Sequence, residues 1–138
     1  MQFAEIIGQE AVKEKLITTV RENRVSHAQL FLGPSGSGKL ALAVAYAQYI
    51  NCNNRTGTDS CGVCPSCQQF SKLAHPDLHF SYPIILKRSG EDKKIVSKDY
   101  LAKWREYLLE KHFFPDLIDK NNRTMRFCNN RGQFSHGL

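Results

Sequence analysis

The sequence lacks two features that place a chain in or across a membrane. It has no apolar run of eighteen residues among its 138, and its N-terminus, MQFAEIIGQE, has no charged leader followed by an apolar core. The first absence excludes a membrane-spanning helix, and the second argues against a secretory signal. We therefore expect a cytoplasmic protein with no membrane partner, in a reducing environment where disulfides are rare.

Acidic residues are also scarce, and no apolar run after residue 40 ends in paired carboxylates. There are 13 Asp and Glu against 19 Lys and Arg, for a net charge of +6. A positive balance invites a nucleic-acid partner. Here the basic residues are dispersed through the helices, the segment 87–103 and the tail, and no aromatic residues alternate with them. The pattern favours solvated faces over direct contact with DNA.

A phosphate-binding loop is present from Gly33 to Leu40, which read GPSGSGKL. The motif G-x-x-x-x-G-K-[ST] holds phosphates with backbone N–H groups and the lysine, and its hydroxyl ligates Mg²⁺. Leu40 and the following Ala41 offer no hydroxyl. The motif leaves both binding and loss of ATP or ADP open as alternatives. We expect hydrolysis to be lost. The candidate nucleotide-binding residues are Gly33, Pro34, Ser35, Gly36, Ser37, Gly38 and Lys39.

The segments on either side of this loop favour the phosphate-binding interpretation. Residues 28–32, AQLFL, predict a buried parallel strand. Residues 40–50, LALAVAYAQYI, predict a helix that is packed on several sides. In a strand–loop–helix arrangement the helix N-terminus points its N–H groups at an anion. The alternative is a Gly/Ser-rich connection that resembles the motif by chance.

Four cysteines follow that helix with the spacing C-x8-C-x2-C-x2-C. They are Cys52, Cys61, Cys64 and Cys67. A C-x2-C pair brings two thiolates to one ion from a tight turn, and Zn²⁺ prefers four such ligands in a closed tetrahedron. A disulfide pair and a set of free thiols remain alternatives. We predict a structural zinc module, the cysteine knuckle, at residues 52–67, with no coordination position open for catalysis. The fifth cysteine, Cys128, is assigned no role.

The phosphate loop and the cysteine knuckle, in this order, resemble the bacterial DNA polymerase III clamp-loader family of the AAA+ class. FAEIIGQEAVKEKL and RVSHAQLFLGPSGSGK are similar to that family's N-terminal stretch, and HPDLHFSYP is similar to its second strand. The resemblance runs from residue 3 to about residue 110. It implies an α/β fold of the P-loop AAA+ type, three αβα layers around a parallel sheet, incomplete here and with the zinc module inserted.

Lys39-Leu40-Ala41 resembles the degenerate loop of the delta-prime subunit more than the complete loop of the gamma/tau subunits. This resemblance implies a non-hydrolysing subunit in a hetero-oligomeric ring with gamma/tau and delta subunits. The ring loads the sliding clamp onto primer-template DNA during replication. The family's Ser-Arg-Cys motif is absent, which puts a trans-acting arginine in doubt. Two alternatives stay open: a gamma/tau-like ATPase and a zinc-containing nucleic-acid-binding module.

Periodicity divides the chain into further elements. Residues 9–23 predict an amphipathic helix with Val12, Leu16 and Val20 inside and Lys13, Glu14 and Arg21 outside. Shorter helical patterns cover 66–73 and the stretch from Ser97 and Asp99 to Leu108. Residues 77–85 predict a strand, and Pro83 indicates an end or an edge there. Residues 1–120 are interpreted as the N-terminal part of a nucleotide-binding domain. Residues 121–138 are predicted to be an irregular or disordered tail, with the lid and collar domains absent.

Overall fold

The computed structural model describes residues 1–34, 36–80, 83–84, 98–110, 126–128 and 134–135. Within these ranges the helices are α1 (Glu10–Arg21), α2 (Lys39–Asn51), α3 (Pro65–Ser71) and α4 (Lys98–Glu110). The strands are β1 (Pro83–Ile84), β2 (Arg126–Cys128) and β3 (Phe134–Ser135), and a 3₁₀ turn, Phe3–Glu5, precedes α1. Two compact units result. Met1–Leu78 belongs to the first, and α4 and the three strands belong to the second.

The four predicted helices are confirmed, each within a few residues of its expected bounds. In α2 the prediction of packing on several sides is also confirmed, because seven of its thirteen residues are buried. The helix has few polar residues to present to water, so its apolar faces must be covered by neighbouring segments. α2 is therefore the central element of the first unit.

The core of the first unit lies where α1, α2 and the 3₁₀ turn meet. Its buried members are Phe3, Ile6, Leu16, Ala41, Leu42, Ala45, Tyr46 and Tyr49. The rings of Phe3 and Tyr49 lie 5.7 Å apart in a tilted arrangement. The Tyr46 hydroxyl lies 3.0 Å from Thr19 Oγ1 and accepts a hydrogen bond of 3.0 Å from Gln29 Nε2. One phenol thus joins α1, α2 and the segment that precedes the phosphate loop.

The predicted faces of α1 are wrong at two positions, because Val12 was expected inside and Lys13 outside. Lys13 was placed in solvent, but only 7% of its surface is exposed, whereas Val12 is 39% exposed. Lys13 Nζ donates to the Ile6 carbonyl at 2.6 Å and to Glu10 Oε1 at 2.9 Å. The segment after the 3₁₀ turn crosses this side of α1, and its carbonyl takes a donor that periodicity alone assigns to water.

The prediction of a parallel sheet is not confirmed in the described part of the chain. Residues 28–32 form no strand, and Leu30 and Leu32 are 81% and 83% exposed. β1, β2 and β3 are antiparallel, in that order, with Pro83 opposite Phe127 and Phe127 opposite Ser135. A strand needs a neighbour to pair its backbone groups, and no backbone hydrogen bond joins residues 28–32 to another described segment.

In the region predicted as a strand at residues 77–85, the structure describes Pro83–Ile84 as a strand of the sheet and residues 77–80 as irregular. Residues 81, 82 and 85 lie outside the described ranges. Residues 121–138, expected to be irregular, include β2 and β3.

Among the described helices, none is both long and apolar enough to cross a bilayer.

Candidate metal centre and phosphate loop

The structure brings the four predicted cysteines together. Their sulfur atoms all lie within 4.8 Å of one another. The Sγ atom of Cys52 lies 3.5 Å from that of Cys61 and 4.0 Å from that of Cys64, and Cys61 and Cys67 are 3.9 Å apart. The thiols are free, so the disulfide alternative is not supported.

Local sequence explains how this cluster is formed. Cys52 follows directly after α2, and Cys64 precedes α3 with Pro65 at the first helical position, where its missing N–H is not needed. Gly62 has a φ of +72°, which a side chain would strain, and this lets the chain reverse between Cys61 and Cys64. The four cysteines are therefore placed by one helix end, one turn and one helix start.

Backbone N–H groups point at three of the sulfur atoms. Cys61 N–H donates to Cys52 Sγ at 3.3 Å, Cys64 N–H to Cys61 Sγ at 3.4 Å, and Cys67 N–H to Cys64 Sγ at 3.4 Å. Hydrogen bonds to the ionised form of a group favour that form. The knuckle thus stabilises thiolates, which are the species that bind a metal.

The thiol pKa values differ according to these contacts. The N–H groups of Cys67 and then Asn53 lower the pKa of Cys64 to about 6. The N–H groups of Cys64 and Val63 lower the pKa of Cys61. Burial raises the pKa of Cys67 to about 12. At neutral pH and without a cation, the cluster therefore combines ionised and protonated sulfurs, and a divalent cation would favour ionisation of all four.

The donor set and its spacing fit Zn²⁺. With Zn–S bonds of about 2.3 Å, a regular tetrahedron has sulfur atoms about 3.8 Å apart. The three short distances in the cluster bracket that value. Cys52, Cys61, Cys64 and Cys67 would hold the ion, and four protein ligands leave no position for a reacting water. The arrangement suits a structural centre.

The phosphate loop occupies the opposite end of α2, about 20 Å away at 1.5 Å per residue. Gly38 precedes the helix with a φ of +72°, and Ser37 N–H donates to the Pro34 carbonyl at 3.3 Å to close the turn before it. Gly33, Pro34 and Gly36 complete the described loop, and Ser35 lies outside the described residues. Gly38 needs glycine, because other residues reach a positive φ only with strain.

Lys39 and Leu40 are the first two residues of α2. Lys39 Nζ donates to the Pro34 carbonyl at 3.1 Å, so the lysine folds over its own loop. The N-terminal N–H groups of α2 and the Lys39 ammonium are suited to an anion. Leu40 presents a half-buried aliphatic side chain at the position where a hydroxyl would meet Mg²⁺.

Sequence reasoning missed a set of polar contacts that joins the knuckle to the N-terminal segment. Asp59 accepts hydrogen bonds from Phe3 N–H at 3.1 Å and Ala4 N–H at 2.9 Å. Ser60 Oγ accepts from Gln48 Nε2 at 2.9 Å, and both residues are almost fully buried. Asp59 is of a residue type that favours turns. Its turn-forming character is visible in the sequence, but its partners more than fifty residues away are not.

The chain is similar to known clamp-loader proteins. A family model described as "DNA polymerase III, delta subunit" matches residues 8–114. The DNA polymerase III subunit gamma/tau of Mycobacterium bovis is 43% identical over 65 residues, which are 47% of this chain and 11% of that protein. The subunit tau/gamma of Haemophilus influenzae and the subunit tau of Escherichia coli are each 36% identical over 76 residues, 55% of this chain.

These matches span 11% of the Haemophilus protein and 12% of the Escherichia protein, so the chain corresponds to only a small part of its curated relatives. No solved structure matches the chain. The family model covers well over half of the sequence, including α1, the phosphate loop, α2 and the four cysteines. The chain therefore belongs to the bacterial DNA polymerase III clamp-loader family.

Proposed function

We propose that this chain is a delta-prime-like clamp-loader subunit that contributes to clamp loading without hydrolysing ATP. The observation that carries the proposal is Leu40, at the second position of α2 directly after Lys39. Phosphoryl transfer in P-loop proteins relies on Mg²⁺ held by a hydroxyl at this position. Neither Leu40 nor Ala41 supplies one.

Family membership supports a place in the DNA polymerase III complex. Under this proposal the chain joins gamma/tau and delta subunits in a ring that loads the sliding clamp onto primer-template DNA in the cytoplasm. Family membership also suggests the three-layer αβα fold of that class. The zinc centre would be structural, because it closes a loop too short to bury a core of its own.

A gamma/tau-like ATPase is the second candidate, and a specific observation favours it. The curated relatives that match the chain at 43% and 36% identity are named as gamma/tau or tau subunits. The two proposals differ in one property, which is magnesium-dependent turnover of ATP.

The deciding experiment measures phosphate release by the purified chain at saturating ATP and Mg²⁺. We expect no turnover above that of the Lys39→Ala variant. Turnover that Lys39→Ala removes would overturn the delta-prime-like proposal and support the gamma/tau-like one.

A matched variant, Leu40→Thr, restores the missing hydroxyl while leaving the loop and Lys39 in place. We expect ATP affinity to become Mg²⁺-dependent in Leu40→Thr and to be Mg²⁺-independent in the unmodified chain. Assembly is tested separately by gel filtration with gamma/tau and delta subunits. Failure of the zinc-loaded chain to co-elute with them would contradict its role as a ring subunit.

A further inference from the structure

The turn before the metal centre is closed by its own hydrogen bonds. Thr56 N–H and Thr56 Oγ1 both donate to the Asp59 carbonyl at 2.8 Å, and Asp59 N–H donates to Thr56 Oγ1 at 2.9 Å. The backbone of Asp59 is therefore fixed on both sides of its side chain.

That carboxylate accepts three backbone N–H groups. Phe3 and Ala4 donate to it from the 3₁₀ turn, and Ser60 donates to Oδ1 at 2.7 Å. Phe3 and Ala4 are the first residues of the 3₁₀ turn, where backbone N–H groups lack partners within the turn. Hydrogen bonds to an ionised acceptor are about twice as strong as neutral ones. Asp59 therefore holds the N-terminal segment against the knuckle.

The turn and the metal ligands are continuous in sequence. Cys52 and Cys61 bracket residues 53–60, and Ser60 lies directly before Cys61. A metal ion that binds both sulfurs closes this loop, and loop closure removes chain entropy that would otherwise release Asp59. Metal binding and the docking of the N-terminal segment are thus favoured by the same loop conformation.

The N-terminal segment leads on to the phosphate loop. Ile6 follows the 3₁₀ turn, and its carbonyl accepts from Lys13 in α1. Gln9, which has a φ of +63°, donates through Nε2 to the Ser37 carbonyl at 3.5 Å. The described contacts therefore run from the knuckle, through Asp59 and residues 3–9, to the loop at the other end of α2.

We propose that Asp59 is a positioning residue that couples metal occupancy of the four-cysteine centre to the N-terminal segment and, through Gln9, to the phosphate loop. Its meaning for nucleotide binding rests on the proposed function, whereas the coupling itself does not. Coupling free energies are reciprocal, so the factor by which docking of the segment raises zinc affinity equals the factor by which zinc favours docking.

The experiment compares the full chain with Asp59→Asn, which keeps the shape of the side chain and removes its charge. Zinc affinity is measured by competition with a chromophoric chelator, and amide exchange is measured by NMR on the zinc-loaded proteins. We expect zinc affinity to fall about tenfold and the amides of Phe3, Ala4 and Ser37 to exchange at least about tenfold faster. The control is Thr58→Ala, an exposed neighbour in the same turn, which should match the unmodified chain.

Chelation of the unmodified chain provides a second arm that needs no variant. We expect the Phe3, Ala4 and Ser37 amides to lose protection while those in the middle of α1 keep it. Unchanged zinc affinity and exchange in Asp59→Asn, or a uniform loss of protection that includes α1 on chelation, would overturn the coupling. ATP binding is recorded alongside. Its absence in the zinc-loaded chain would count against nucleotide binding in the proposed function and would leave the exchange data to decide the coupling.

Discussion

Cys64 illustrates, at the scale of single residues, how the backbone tunes a side chain. The N–H group of Cys67 donates to the Cys64 sulfur at 3.4 Å, and the pKa of Cys64 falls from 9.0 to about 6. Cys67, three residues away, has its pKa raised to about 12 by burial. Two cysteines of one C-x2-C pair thus differ in charge at neutral pH although the sequence presents them alike.

This difference predicts an order of reactivity in the metal-free, reduced chain. A thiol with a pKa of about 6 is about nine-tenths ionised at pH 7. Because the thiolate is the nucleophile, the alkylation rate of Cys64 should be nearly flat above pH 7 and fall about tenfold per pH unit below pH 5. Cys67 should react most slowly. Iodoacetamide labelling followed by peptide mass spectrometry measures both rates.

The control is the same labelling in denaturant, where each thiol should behave as one with its ordinary pKa. A Cys64 rate that keeps rising tenfold per unit from pH 7 to pH 9 in the folded chain would contradict the lowered pKa.

At the scale of elements, α2 connects two sites that the sequence presents as separate motifs. Its first residue is Lys39 of the phosphate loop, and the residue after its last is Cys52 of the metal centre. Helices were the elements most accurately predicted here, because the apolar spacing and the absence of Gly and Pro depend on residues close in sequence. The strand at residues 28–32 was predicted from the same kind of pattern, but a strand requires a partner that no local pattern contains.

The start of α2 depends on Gly38 and gives a testable prediction for the element. Gly38→Ala places a Cβ at a φ of +72° and should lower the free energy of unfolding by about 1–2 kcal/mol. Gly57→Ala is the matched control, because Gly57 has no positive φ and nothing within 4 Å of the added atom. It should be neutral or slightly stabilising. Urea titration of both variants measures their free energies of unfolding. Equal losses of stability in the two variants would contradict the role of backbone conformation at Gly38.

At the scale of the whole molecule, the first unit has a small apolar core centred on α2. The four cysteines lie beyond the end of that helix, where the chain from residue 52 to residue 64 has little helix or strand structure of its own. A metal ion that ties this region together should therefore contribute a large share of the stability of Met1–Leu78.

Cys67→Ser tests that contribution. Cys67 is 1% exposed, and its loss leaves three ligands. We expect zinc content to fall from one ion per chain to well below one, and the thermal midpoint to drop by about 10 °C or more. Cys128→Ser, at the fifth cysteine, should retain both the zinc and the midpoint. Plasma emission spectrometry and calorimetry provide the two readings, and a fully loaded Cys67→Ser chain would rule out the four-cysteine site.

The sequence by itself determined the features that depend on neighbouring residues. These are the four helices, the phosphate-loop motif with its missing hydroxyl, and the cysteine spacing suited to zinc. Only the tertiary structure decided which side chains meet across the chain. It buried Lys13 beneath the Ile6 carbonyl, left residues 28–32 outside the strands that the structure describes, and set Asp59 against the N–H groups of Phe3 and Ala4. Burial and hydrogen bonding depend on segments far apart in sequence, which periodicity and spacing do not encode.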